Sequence, residues 1–374
     1  MDLGFCLIKV QMLSENQPQC DAQYAHYNSN TRRFHTPGAP PMASWSAALK
    51  WHFGFRKDGA PPRTKWPHWI DIVPLEIPAR PTQMSDSIIA TWINHSTFFV
   101  QTAGLNFIFD PIFSRCCGPF GKLGHARVHA PGIALDALPA IDFVLLSHDH
   151  YDHCDLQSLR HIVRRAPRVH KPIGITPIGN GTLLRRAGFA DNHIVELDWW
   201  QTHIPKTMQE MEIARQIQIT LTPSQHWSKR LTSARNRRLW GGFYITVGPR
   251  TEDLKIDAAG NMQRRVYFAG DTGYNPWIFR EIGTRLGAPD LAMLPIGAYE
   301  PRWFMSPQHC NPAEAVQIHR EIGSRQSVAM HWGTFQMTDE ARDEPPRALG
   351  AALQAAGVPA ESFKVLAPGE SISV

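Results

Sequence analysis

Positions 147 to 153 read Ser147-His148-Asp149-His150-Tyr151-Asp152-His153, which places three imidazoles and two carboxylates on one short stretch. The apolar run Phe143–Leu146 just before it has the length of a buried strand, so the cluster falls on the loop leaving that strand. Alternate residues there, His148 and His150, can face one point. Neutral imidazole and carboxylate are favoured donors for zinc and related divalent ions. Three groups complete one site, so a fourth donor together with others at more distant strand ends implies a second metal. Those others are His226, after the run Ile217–Leu221, Asp271, after Val266–Ala269, and His331, after Val328–Met330. Two ions about 3.5–4 Å apart activate water and clamp a phosphoryl centre, and the same pair polarises a carbonyl, which leaves lactone or amide hydrolysis open.

Around this cluster the residue types divide. Ser228–Trp240 holds Lys229, Arg230, Arg235, Arg237 and Arg238 without an acid, and would concentrate an anionic substrate or simply form a solvated face. Arg302 is a second phosphate contact on the same reasoning, and Trp303 and Phe304 beside it can line an acyl-chain groove. Asp149 is expected to point to solvent or cap the turn. Asp155 either orients a ligating histidine or caps the following helix. Trp199 and Trp200 read as packing anchors. No GxSxG, GxGxxG or P-loop pattern is present, which leaves serine-nucleophile and phosphate-loop chemistry without support.

The elements that must position these residues follow from pattern. Short apolar runs recur from Ile88 onward: Ile88–Ile93, Phe98–Thr102, Asn106–Phe109, Phe143–Leu146, Ile173–Thr176 and Ile194–Leu197, then Ile217–Leu221, Gly242–Val247, Val266–Ala269, Leu291–Leu294 and Val328–Met330. Helical patterns fall between them at Leu156–Arg165, Gly181–Ala187, Pro276–Leu286 and Pro312–Ile322, the last with proline at its first turn. Strands alternating with helices predict a layered α/β domain over 86–374. Residues 1–85, broken by Gly38-Ala39-Pro40-Pro41 and Pro61-Pro62, predict an irregular N-terminal extension.

The chain has 374 residues, 43% of them hydrophobic, and a net charge of +5, enough apolar material for a sizeable core and only weak evidence for acidic partners. No apolar run reaches the roughly 18–20 residues of a membrane span. Leu3–Leu13, interrupted by Lys9, lacks a basic leader and is not expected to be a signal peptide. Six cysteines (Cys6, Cys20, Cys116, Cys117, Cys154, Cys310) lack the spacing of a disulfide framework, which predicts a reducing, cytoplasmic setting.

The ligand order resembles the metallo-β-lactamase superfamily, with its HxHxDH motif followed by His, Asp and His. The resemblance extends over roughly Ile88 to Leu349. It is closer to the branch of N-acylphosphatidylethanolamine-hydrolysing phospholipase D, through Asp110-Pro111-Ile112-Phe113-Ser114, Glu196-Leu197-Asp198-Trp199-Trp200, Thr222-Pro223-Ser224-Gln225-His226-Trp227, Phe268-Ala269-Gly270-Asp271-Thr272-Gly273-Tyr274 and the segment Pro295–Met305.

The resemblance implies a four-layer αββα sandwich. It implies two zinc ions, or other divalent metals: one held by His148, His150 and His226, the other by Asp152, His153 and His331, with Asp271 bridging. Asp152 and Asp271 are then the catalytic carboxylates. It adds His95, Tyr299, Gln308 and His309 to Lys229, Arg230, Arg302 and Trp303 as substrate-facing residues. The redox branch has Glu where His150 stands, so hydrolysis is favoured. The implied reaction converts N-acylphosphatidylethanolamine to N-acylethanolamine and phosphatidic acid, and a non-catalytic lipid-binding protein is the reading from another class. The partners expected are a phospholipid or other anionic ester and a peripheral membrane contact, with no nucleic acid. A homodimer is left open. Two departures from the branch stand out: Asn94 where glycine is usual, and Cys154 where an aliphatic residue is usual.

Overall fold

Side chains alternate between two apolar environments along each central strand, as a period-2 element buried on both faces requires. Ile88, Ala90 and Trp92 join one core cluster while Ile93 joins another. Phe98 and Val100 part in the same way from Phe99, and Phe107 and Phe109 from Ile108. The computed structural model describes residues 26–52, 64–73, 75–82, 85–205, 215–231, 233–250 and 263–374. Leu3–Leu13, Cys6 and Cys20 lie outside the described residues.

Two small hairpins, β1 (Tyr27–Asn28) with β2 (Arg33–Phe34) and β6 (Cys116–Cys117) with β7 (His125–Ala126), stand apart from two seven-stranded sheets. The first sheet contains β3 (Ile88–Asn94), β4 (Thr97–Thr102), β5 (Leu105–Phe109), β8 (Phe143–Leu145), β9 (Ile173–Pro177), β10 (Ile194–Leu197) and β18 (Ser371–Ser373). Its order is β10-β9-β8-β5-β4-β3-β18. The second runs from β11 (Thr202–His203) through β12 (Arg215–Thr222), β13 (Gly242–Arg250), β14 (Arg264–Phe268), β15 (Leu291–Pro295) and β16 (Gln326–Met330) to β17 (Phe363–Lys364), in chain order. Each sheet joins an antiparallel run to a parallel one, β3-β4-β5 then β5-β8-β9-β10, and β11-β12-β13-β14 then β14-β15-β16-β17.

The sheets face each other across one large core, where Phe109 meets Phe268 at 4.7 Å between ring centroids. Helices α2 (Leu156–Arg165) and α3 (Gly181–Ala187) bury Leu159, Ile162, Leu183 and Leu184 against the outer face of the first sheet. Helices α4 (Ile278–Leu286), α6 (Pro312–Glu321) and α7 (Glu344–Ala356) contribute Phe279, Val316, Ile318 and Leu353 to the cluster that includes the second sheet. This is the expected αββα layering.

Within the described part of the N-terminal region, residues 45–52 form α1 (Trp45–His52). The region's contacts are with the main body: Trp51 Nε1 donates to Asp339, Thr36 Oγ1 to Ser224 O, and His26 Nε2 pairs with Asp198 at 2.6 Å. A four-residue helix, α5 (Arg302–Met305), completes the set.

Candidate metal centre

The donors come from the first residues beyond strand ends. His95, Asp110 and His331 directly follow β3, β5 and β16, and all three adopt left-handed backbone, with φ of 45°, 40° and 61°. That conformation turns the chain sharply as it leaves the sheet, and outside glycine it is uncommon, with Asn, Asp and His the enriched exceptions. Gly270, at φ 62°, makes the corresponding turn before Asp271. A Cβ there would meet Gly241 O at 2.9 Å and Ser147 Cβ at 3.0 Å, so only glycine lets the two sheets' loops approach this closely.

Seven of the predicted side chains meet in two facing groups. In one, His148 Nε2 lies 2.9 Å from His150 Nδ1, which is 3.2 Å from His226 Nε2. In the other, His153 Nε2 and His331 Nε2 each lie 3.4 Å from Asp152 Oδ2. Asp271 stands between them. Its Oδ2 is 3.6 Å from His226, 3.9 Å from His148 and 3.1 Å from His153, and its Oδ1 is 3.1 Å from His331. Tetrahedral zinc with Zn–N near 2.0–2.1 Å separates its nitrogens by about 3.3 Å, so the spacing suits such an ion. The nitrogens His153 Nε2 and His331 Nε2 and the oxygen Asp271 Oδ1 are buried without a hydrogen-bond partner in the protein. A buried polar atom without a partner is costly, and a cation beside Asp271 would satisfy several at once.

Other groups fix which ring nitrogen faces inward. Asp110 Oδ2 accepts from His153 Nδ1 at 2.6 Å and from Ser147 Oγ at 2.5 Å, while Ser147 Oγ accepts from His148 Nδ1 at 2.8 Å. The carbonyl of Gln308 accepts from His226 Nδ1 at 2.9 Å. Each of these bonds protonates the outer nitrogen and leaves the inner lone pair for a metal. Burial lowers His226 to about 3 and His150 to about 4, and also holds His148 well below the usual imidazole range, so these imidazoles are neutral. Burial also opposes charge on His331, but Asp271 and Asp152 outweigh it and raise it to about 9. Asp152 and Asp271 stay well below the carboxylate range despite burial, chiefly because of His153.

The substrate-facing expectations meet varied surroundings. His95 is buried with Nε2 3.0 Å from Asp152 Oδ2, and its ring lies 4.1 Å from that of His331. His309 is grouped with Asp271 and His331, their donor atoms within 4.8 Å of one another, and its Nδ1 has no partner. Gln308 is buried with Oε1 likewise unpartnered. Lys229 is exposed. Arg230 lies flat on Tyr151 at 3.8 Å and donates to the carbonyls of Asp149 and Cys154. Arg302 forms a two-pronged pair with Glu314 and donates to His309 O. The Tyr299 hydroxyl donates to Glu344 at 2.8 Å. Trp303 is half-buried edge-on to Phe304, which packs on Trp51 of α1.

Two expectations are settled and one site residue was overlooked. Asp149 does not face solvent. It is buried, its carboxylate accepting from Lys229 N at 2.8 Å and Arg238 Nη1 at 2.9 Å, because the loop after His226 folds over it. Asp155 caps α2 by accepting from Gln157 N. Asp110 entered the sequence reading only within the resembling segment Asp110-Pro111-Ile112-Phe113-Ser114, and its place directly after the apolar run Asn106–Phe109, where the other site residues also follow strand ends, is the signal that could have singled it out.

A profile of the beta-lactamase superfamily domain matches residues 105–332. N-acyl-phosphatidylethanolamine-hydrolyzing phospholipase D 1 of Caenorhabditis elegans is 35% identical over 253 residues, covering 67% of this chain and 65% of that protein. The mitochondrial N-acyl-phosphatidylethanolamine-hydrolyzing phospholipase D of Saccharomyces cerevisiae is 33% identical over 260 residues, 69% of this chain and 50% of its own. The matched region thus spans less than two thirds of either relative. In architecture, an isothiocyanate hydrolase from Delia radicum gut bacteria aligns with a TM-score of 0.54 at 19% identity, over 76% of this chain and 98% of that one, a likeness of fold.

Proposed function

The chain belongs to the metallo-β-lactamase superfamily, and from this premise we propose that it is a metal-dependent hydrolase, a di-zinc phosphodiesterase acting on N-acylphosphatidylethanolamine. The observation that carries the reading is Asp271 standing between two groups of inward-facing donors. His148, His150 and His226 would hold one ion and Asp152, His153 and His331 the other, with Asp271 shared. Bound there, the pair supplies an activated water at neutral pH and positive charge for the phosphoryl oxygens.

The chain's own residues set the rest. Asp110, Ser147 and the Gln308 carbonyl keep the imidazoles aimed inward. His309, with Nδ1 free of a protein partner beside Asp271, is placed to hydrogen-bond a substrate oxygen, and His95 holds Asp152 in position. In the reaction, water oxygen bonds to phosphorus, the phosphorus–oxygen bond to the ethanolamide breaks, and the acylethanolamine leaves with a proton as phosphatidic acid forms.

The test is metal analysis paired with hydrolysis of N-acylphosphatidylethanolamine by the purified chain. Two zincs per chain and release of both products, abolished in Asp271→Ala, are expected. Two zincs with no lipid turnover but cleavage of a lactone would overturn the phosphodiester assignment.

A further inference from the structure

Hairpin β6–β7 ends in a tip whose large side chains face outward: Phe120 is 76% exposed and Leu123 58% exposed. Phe120 adopts φ 61°, a left-handed conformation uncommon for so bulky a residue. Around the tip, residues 114–127 carry Arg115, Lys122 and Arg127 and no acid. Lys122 and Arg115 are exposed, and Arg115 lies over Trp69 at 5.1 Å, itself 44% exposed with its Nε1 donating to Asp71.

The hairpin is tied to the metal centre. Gln157, in the first turn of α2 just beyond the His148–His153 loop, donates to Phe120 O. Arg127 bridges to Phe335, whose ring lies 5.2 Å from His95. The same pairing of apolar tip and lysine recurs on the basic loop, where Leu231 is 78% exposed two residues from Lys229. That loop is held to Tyr151 and Cys154 by Arg230.

Exposed apolar and aromatic side chains with Arg115 and Lys122 among them, and Asp71 held by Trp69 at the margin, match an interface with anionic headgroups above acyl chains. We propose that the Phe120–Leu123 tip, flanked by Trp69 and Lys122 and seconded by Leu231, docks the protein on an anionic lipid surface beside the metal centre. This rests on the substrate being a lipid.

The test is co-sedimentation of the full chain with phosphatidylcholine vesicles with and without phosphatidylglycerol, read without turnover. The intact protein is expected to partition onto the phosphatidylglycerol-containing vesicles. The double variant Phe120→Ala/Leu123→Ala should bind them about tenfold more weakly, the equivalent of part of two buried apolar side chains. Lys122→Glu should lose the preference for phosphatidylglycerol, and both variants should keep the metal content of the parent. Unchanged partition in both variants, or no partition of the parent, overturns the proposal. Conversion of a dimer to a monomer by the double variant, seen by sedimentation velocity, overturns it in favour of a second copy covering the tip. Vesicle binding that survives failure of the lipid hydrolysis assay sinks only the substrate assignment.

Discussion

Asp149 lies between His148 and His150, yet its carboxylate serves another loop. One oxygen takes the amide of Lys229 and the other the guanidinium of Arg238, while its own carbonyl takes Arg230. The ion pair is almost fully buried, the Arg238 side chain 12% exposed and that of Asp149 0%. Removing one member of such a pair leaves a charge stranded, which costs about 3–5 kcal/mol, whereas replacing both by apolar residues is often near neutral. Asp149→Ala is therefore expected to destabilise the metal-loaded protein by roughly 3 kcal/mol in urea unfolding, with Asp149→Leu/Arg238→Met recovering most of it. A loss below about 1 kcal/mol in the single variant would show that the pair does not hold the two loops together. The contact joins residues 89 positions apart. A pattern of alternating histidines says which side chains share a face but not which distant loop covers the other, so Asp149 read as solvent-facing.

At the scale of elements, α6 shows how a helix terminus holds a site residue. Asn311 caps it, its side chain accepting from Glu314 N while Glu314 reaches back to Asn311 N, with Pro312 at the first turn. Glu314 also holds Arg302, which holds the His309 carbonyl. Asn311→Ala is expected to cost about 1 kcal/mol of stability, as other lost caps do. Glu314→Ala removes the back-bond and the Arg302 anchor together, so thermal melting should show a loss at least as large, and turnover should fall more than in Asn311→Ala because the His309 segment is released. Equal turnover in the two variants would separate His309 from this chain of contacts.

The start of α6 was legible because Pro at the first turn before an amphipathic run is a local signal. Leu156–Arg165 and Gly181–Ala187 matched without a proline, on helical spacing of their apolar residues alone. Helix α7 was not, since Pro345-Pro346 reads as a break, although proline is tolerated in a first turn. Strands β11 and β17 have two residues each and β18 three, too short for any period to show.

Across the whole molecule, the site is assembled from both sheets. His148, His150, Asp152 and His153 follow β8 of the first, and His226, Asp271 and His331 follow β12, β14 and β16 of the second. A cation held by both groups therefore cross-links the sheets at one edge, where the two sheets otherwise meet through the aromatic core. The unfolded chain lacks this arrangement, so binding energy becomes folding energy: each site filled at a thousandfold excess over its dissociation constant adds about 4 kcal/mol. At about 2–4 °C per kcal/mol for a domain of 150–250 residues, and somewhat less for a larger one, the loss of two ions should be plain in a melting curve.

Dialysis against a chelator is expected to lower Tm by about 10 °C or more, with zinc restoring it. Asp271→Ala, which removes the only carboxylate shared by the two groups among the described residues, should narrow that difference markedly. Phe120→Ala/Leu123→Ala, altered only at an exposed tip, should keep it. Identical melting of the chelated and zinc-loaded protein would mean that the donors from the two sheets do not share their ions, and the cross-link would have to be abandoned.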